Sequence, residues 1–362
     1  MSILGQMKDP RRTTKGNLKH SLPDILFLVI SAVLCGCNDW ESIEVFGESQ
    51  LEWYRKHYPY KNGIPSHDTL NRVFSALDPT VFSEKFIEWT QQICNMTNGE
   101  LVAVDGKTIR RSYDKHHEKS AFHVVSAYAS QNRLCLGQVF DQSKAGEITA
   151  IPQLLDLLFL KGSTVSIDAI GCQKSIVQNV LDKDADYLVA VKNNQRSLYE
   201  QIDTVFDHTS TSSKDEQIEV DHGRVETRTC SVIHDFTFLE EASNWPSVKS
   251  VVRVKNKRFT KSNSKTTEHV RYYISSRSDN AQQFNELIRA HWSIENNLHW
   301  MLDVVFQEDS SRRRQGNSAA NFNIISKVAL ALIERIPHKK SKRQRRFLAG
   351  WDPKFRERVL NL

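Results

Sequence analysis

The hydrophobic period of this chain changes at residue 101, and no other feature restricts its possible folds as strongly. Upstream, apolar residues recur at helical spacing. From Leu101 onward they fall into short unbroken runs bounded by turn residues. "LVAVD" (101–105), "FHVVSAYAS" (122–130) and "LCLGQVF" (134–140) read as three successive strands, the last two joined across Gln131-Asn132-Arg133. A helix through "EITAIPQLLDLLFL", a strand "TVSID" ending on Asp168, a helix over about 172–183 and a strand "YLVAV" (187–191) follow. Three strands and then alternating helix and strand predict an α/β fold, a mixed sheet with helices on its faces.

The flanking regions have their own signals. Residues 1–97 read as a helical domain, with Asn38 or Asp39, Ser66 and Asp78-Pro79 as helix starts. A plain helical bundle and a DNA-reading module share that pattern. From about 206 to 270 the chain is first polar and Ser/Thr-rich, then strand-like in "RVETRTCSVI", "SVKSVVRVK" and "HVRYYISS", which predicts a β-rich insertion into a core spanning 98–337. Beyond it, Phe284, Leu287, His291, Ile294, Leu298, Met301 and Val305 repeat at three-and-four spacing, the mark of one amphipathic helix. Residues 338–362 read as a basic, peripheral C-terminal segment.

Charge narrows the partners. Lys plus Arg number 49 against 43 for Asp plus Glu, a formal charge of +6. The excess is clustered in Arg312-Arg313-Arg314 and in "KKSKRQRR" (339–346), as a polyanion partner would require, although the second run also reads as a solvated tail. Six scattered cysteines without zinc spacing fit a reduced cytosolic protein. The apolar run "ILFLVISAVLCGC" (25–37) falls short of the roughly 20 residues of a bilayer span. It reads as a buried helix starting near Pro23 and Asp24 rather than as a lipoprotein export signal.

Acids stand at telling places. Asp105 and Asp168 each close a short apolar strand, and strand ends at one sheet edge can become neighbours across a long stretch of sequence. Each is also readable as a turn aspartate. On the late helix, Glu295, His299 and Asp303 follow one another at four-residue steps, giving one polar stripe. A solvated face would explain the stripe, but Trp292 and Trp300 imply some burial around Glu295, and a buried carboxylate needs a partner such as a metal ion.

These pieces, in the stretches "VDGKTIRRSYD", "SIDAIGCQKSIV", "VKNNQ", "DHGR" and "RAHWSIENNLHWMLDVVFQED", resemble the ISAs-type insertion-sequence transposases, including the H-repeat-associated proteins of bacteria. The resemblance covers nearly the whole chain. It implies a ribonuclease-H-like core, with Asp105, Asp168 and Glu295 as a catalytic triad holding Mg²⁺ or Mn²⁺, two ions in all. It implies double-stranded DNA as partner (the element's terminal repeats and its target), a homo-oligomer on that DNA, and a bacterial cytoplasmic location at the nucleoid with no membrane. The activity expected is metal-dependent strand cleavage and strand transfer. An inactive DNA-binding relative and a metal-dependent nuclease on the same fold are the alternatives. Lys107, Arg110, Arg111, Lys192 and Arg224 are candidate phosphate contacts, against plain surface cations and turns. The wider superfamily places a tyrosine, an arginine and a lysine around its glutamate. Here those slots hold Ile288, His291 and Leu302, so Arg289, His291 and His299 become candidates for the missing roles.

Overall fold

A computed structural model describes residues 3–11, 18–94, 98–114, 120–141, 146–221, 224–235, 239–261 and 265–362. The N-terminal helices begin where side chains can satisfy free backbone N–H groups. Ser21 Oγ accepts from Asp24 N–H at the start of α1 (Leu22–Leu34), and Asp39 and Ser42 form a reciprocal cap on α2 (Trp40–Ser49). The short α3 (Leu51–Arg55) and α4 (His67–Ala76) follow. Asp78 then caps α5 (Pro79–Ile93), with Pro79 in its first turn. Helix α1 is apolar on every side and buried along almost its whole length, as an internal helix must be. Among the described residues no helix is long and apolar enough to cross a membrane.

The core follows in the expected order: β1 (Leu101–Thr108), β2 (His123–Ala129), β3 (Leu134–Asp141), α6 (Glu147–Leu157), β4 (Thr164–Ile167), α7 (Lys174–Asp182) and β5 (Asp186–Val191). Strands β1, β2 and β3 are antiparallel, while β4 and β5 run parallel to β1. This is a ribonuclease-H-like core. After α8 (Arg196–His208) come β6 (Ser213–Asp221), β7 (Arg224–Ile233), the one-turn α9 (Glu240–Ser243), β8 (Ser250–Thr260) and β9 (Lys265–Ser275). The inserted strands do not stand apart: β9 pairs antiparallel with β5, giving one nine-stranded sheet ordered β3-β2-β1-β4-β5-β9-β8-β7-β6. His222 and Gly223, in the stretch "DHGR", lie outside the described residues.

The late helix departs from its expected form. It starts regularly as α10 (Ala281–His291), capped by Asn280 and Gln283. Its continuation then loosens into π-helical winding over Glu295–His299 and Met301–Val305, where Trp300 N–H reaches back to the Glu295 carbonyl and Phe306 N–H to that of Met301. Such winding is rare and concentrates at functional sites. The buried α11 (Ser318–Glu334) packs against α1, α4, α5 and β3, joining the N-terminal helices to the sheet. The basic C-terminal run is no loose tail. It forms α12 (Lys342–Trp351) and α13 (Pro353–Leu360), with Arg345, Arg346 and Arg356 buried.

Candidate active site

Register alone brings two of the acids together. The parallel ladder between β1 and β4 ends at the pair Val104–Ile167, so Asp105 and Asp168 are the next residue on each of two adjacent strands. Asp105 is not at a strand end, as the sequence suggested. β1 continues to Thr108 on its pairing with β2 alone, with Asp105 opposite Ser126. Asp168 does leave its strand, and its Oδ1 accepts from Ile170 N–H at 3.0 Å. The turn that follows is held from β5's end: Asn194 Nδ2 donates to the Ala169 carbonyl (2.6 Å) and Gln195 Nε2 to that of Cys172 (2.8 Å). These two amides brace the turn beside Asp168.

The π-helical segment adds the third acid. Alternate residues of a strand share a face, so Asp105 and Lys107 both meet this segment, and its four-residue steps match them. His299 Nδ1 lies 3.5 Å from Asp105 Oδ2 and 3.2 Å from Glu295 Oε2, while the Lys107 ammonium pairs with Asp303 and, at 2.8 Å, with Glu308. Asp105, Glu295 and His299 present ligand atoms all within 4.8 Å of one another. Asp168 lines the same cleft. The tryptophans do not bury Glu295 as the sequence implied. The Glu295 side chain is 57% exposed, and Trp292 and Trp300 are themselves open to solvent.

Two participants escaped sequence reading. Glu147, at the start of α6, bonds His123 Nε2 through Oε1 at 2.7 Å, and a Cβ on Gly106 would fall 2.1 Å from that same oxygen. Gly106 is therefore a position of close approach, bringing a fourth carboxylate up to the cleft. Nothing in its sequence context flagged Glu147. The signal that existed was a glycine where a turn was expected and a strand continues.

The electrostatics are those of crowded anions. Burial raises Asp105 to a pKa of about 7, with Asp168, Glu147 and Glu295 adding to the rise against the opposing Gly106 N–H. Asp168 is also raised, chiefly by burial and then by Glu147, with Lys192 opposing. His299 is pushed down to about 3 by burial and by the Lys327 and Lys107 cations, so its ring is neutral. With two carboxylates at Nδ1, that nitrogen carries the proton, leaving Nε2 buried without a partner. Hard carboxylate oxygens converging in this way suit Mg²⁺ or Mn²⁺. A consequence can be tested. An elevated Asp105 pKa contributes stability below the unfolded value, near about 3.9, that is lost as pH rises through about 7. The metal-free chain is expected to lose thermal stability as pH rises from about 4 to about 7 and then to level off, and Mn²⁺ to restore more of it at the upper end, where the ligand is ionised. Asp105→Asn should flatten both trends in thermal scans. Mn²⁺ stabilisation that ignores pH would sink this reading.

Most of the expected phosphate contacts are otherwise engaged. Lys107 is 11% exposed inside its ion pairs, Arg110 pairs with Asp309 (3.2 Å), and Arg289 pairs with Glu219 on β6. His291 is held near pKa 4 by burial and by Arg271, and its Nδ1 bonds Ser166 Oγ at 2.8 Å. Neither His291 nor His299 is a cation at neutral pH. Arg111 is exposed beyond the end of β1, and Arg224 opens β7, separated from β5 by β9 and β8. Of the expected contacts, Lys192, His291 and His299 stand with the acids, and of these three only Lys192 carries a charge.

Known proteins resemble this chain along most of its length. Residues 97–332 match the family described as "Transposase DDE domain", and residues 1–90 match the one described as "DDE_Tnp_1-associated". The chain is 45% identical over 328 residues to "Putative transposase YncI" of Escherichia coli O157:H7, a match covering 88% of this chain and 83% of that one. It is 39% identical over 345 residues to "H repeat-associated putative transposase YhhI" of Escherichia coli strain K12, covering 92% and 89%. Among solved structures, a piggyBac transposase synaptic complex with hairpin DNA superposes with a TM-score of 0.46 at 12% identity, over 97% of this chain and 76% of that one.

Proposed function

This chain belongs to the DDE-domain transposase family, and from that premise we propose that it binds the ends of an insertion sequence, cuts them and joins them to target DNA. Asp105, Asp168 and Glu295 are the catalytic residues in this reading. The observation that carries it is that Asp105 and Asp168, each next after the last β1–β4 register pair, share one cleft with the π-helical Glu295. One or two Mg²⁺ or Mn²⁺ ions held by these carboxylates, with His299 beside them, would activate the attacking oxygen and stabilise the leaving one at phosphorus. The chain's own residues prepare that site. The Ile170 N–H fixes the direction of Asp168, the Asn194 and Gln195 amides hold the turn behind it, and His299 keeps Asp105 and Glu295 together. No protein nucleophile is required. Water attacks at the element's end and frees a 3′-hydroxyl; that hydroxyl then attacks target DNA, one P–O bond forming as another breaks.

Assembly as a homo-oligomer on double-stranded DNA belongs to the same proposal. The test is a purified chain incubated with Mg²⁺ and duplexes of the DNA that flanks its gene on either side. Nicked ends and joined products are expected. Nicks without joined products would mean a nuclease, and binding without nicks would mean an inactive DNA-binding relative.

A further inference from the structure

Two cations stand on neighbouring strands in this cleft, and neither forms an ion pair among the described residues. The antiparallel pairing of β5 and β9 runs through Ala190–Tyr273 and Val191–Tyr272, and continuing it by one residue sets Lys192 opposite Arg271. Alternation puts both on the face of Ala190 and Tyr273, and all four residues line the cleft that holds Asp105, Asp168 and Glu295. Like charges directly opposite on neighbouring strands destabilise a sheet. Neither residue is in an ion pair among the described residues, although carboxylates absorb the cations of Lys107, Arg110 and Arg289. The Arg271 guanidinium lies 4.9 Å over the exposed Trp292 ring, which orients its fork without neutralising it. The pair also lies at a boundary. Asp168, Lys192 and Arg271 are shared with a second cavity of about 750 Å³, walled by Tyr199, Tyr272 and the polar Asn193–Asn194 turn. A strand leaving the acids for that cavity would cross the two cations.

We propose that Lys192 and Arg271 form a phosphate clamp, gripping the DNA backbone beside the bond that is cut and filling the roles for which the superfamily arginine and lysine are missing here. The clamp rests on the transposase reading above. It supplies the direct ion pair that neither cation makes, Lys192 otherwise acting only on Asp168 across the cleft. Arg271, through its fork, makes the bidentate contact, and Lys192 acts as a point charge.

The test uses the full chain and a fluorescein-labelled mixed-sequence duplex with a single-stranded tail, titrated by anisotropy at several salt concentrations. Lys192→Ala and Arg271→Ala should each weaken binding about tenfold and make the salt dependence of log K shallower by about 0.7–0.9 per charge removed. Arg271→Lys should recover the slope but only part of the affinity. The thermal midpoint of the double variant should hold or rise, because repulsion is relieved; a purely structural pair would lower it. Lys161→Ala removes a charge at the opposite end of β4, where Lys161 pairs with Asp184 at 3.2 Å, and should leave the slope unchanged. Variants that bind with the wild-type slope, or a slope equally shallow in Lys161→Ala, would overturn the clamp alone. A wild-type chain that binds no DNA would overturn the transposase reading and the clamp together.

Discussion

Asp168→Asn and Glu295→Gln are each expected to lower strand cleavage by about a thousandfold while leaving DNA affinity unchanged or slightly raised. The size follows from what the carboxylates do in the proposed reaction: several kcal/mol of charge stabilisation at phosphorus depends on the ions they hold, and each 1.36 kcal/mol is tenfold in rate. The sign of the binding effect follows from charge, since each substitution removes a negative group from beside phosphate. Folding should hardly respond. Glu295 is 57% exposed, and its one described side-chain partner, His299, keeps Asp105 within reach. Asp168→Asn retains an oxygen that can accept from Ile170 N–H. Cleavage of the element's ends in Mg²⁺, run beside a gel-shift titration and a thermal scan, separates the possibilities. Parallel losses of binding and cleavage in Glu295→Gln would make Glu295 a structural residue.

The sequence was most readable where one physical signal dominates. Apolar runs bounded by turn residues located β1 to β5, and the side-chain caps at Asp39 and Asp78 located two helix starts. Asp105 and Asp168 could be singled out because each follows the last apolar residue of its strand. What sequence could not supply was the register that makes them adjacent, because strand pairing is a long-range choice. The π-helical winding was invisible for a related reason. Ile294, Leu298, Met301 and Val305 satisfy a helical period whether each turn closes at the fourth or the fifth residue.

Charge was read least well, because a cation's role depends on what it meets. The sequence treats Lys107, Arg110, Lys192 and Arg289 alike, and the fold divides them: three find carboxylates and one faces another cation. Arg271 drew no notice in an ordinary strand segment. It matters because the β-rich insertion continues the core sheet and carries β9 to the cleft. Buried Lys327 illustrates the same point from the other side of the site. It reaches from α11 to Ser126 Oγ (2.8 Å) and to Gln138, which are paired neighbours across β2 and β3 in the same row as Asp105. Nothing in "ISKVAL" distinguishes it from a surface lysine.

Arg346→Met is expected to destabilise the fold by roughly 2–4 kcal/mol, against about 0.5 kcal/mol or less for Arg343→Met three residues earlier. Both lie in the basic run that reads as a solvated tail, but only Arg346 is buried. Its Nε and Nη2 donate to the Val33 carbonyl at 3.1 and 2.6 Å, Nη2 also to Asn38 Oδ1 at 2.7 Å, and Nη1 to the Val305 carbonyl. The guanidinium also lies 4.0 Å from the centre of the Phe306 ring. One side chain thus ties together the end of α1, the turn before α2 and the last residue of the π-helical segment that carries Glu295. Methionine keeps much of the volume but leaves those acceptors short of donors in a buried place, and that shortfall sets the cost. Arg343 is exposed and loses little. The same contacts predict that deleting residues 338–362 leaves an aggregating chain, because Ala349, Phe355, Val359 and Leu360 are part of the main core. Thermal midpoints of the two methionine variants, measured under one set of conditions, decide the matter: an Arg346→Met shift no larger than that of Arg343→Met would return the run to the status of a tail.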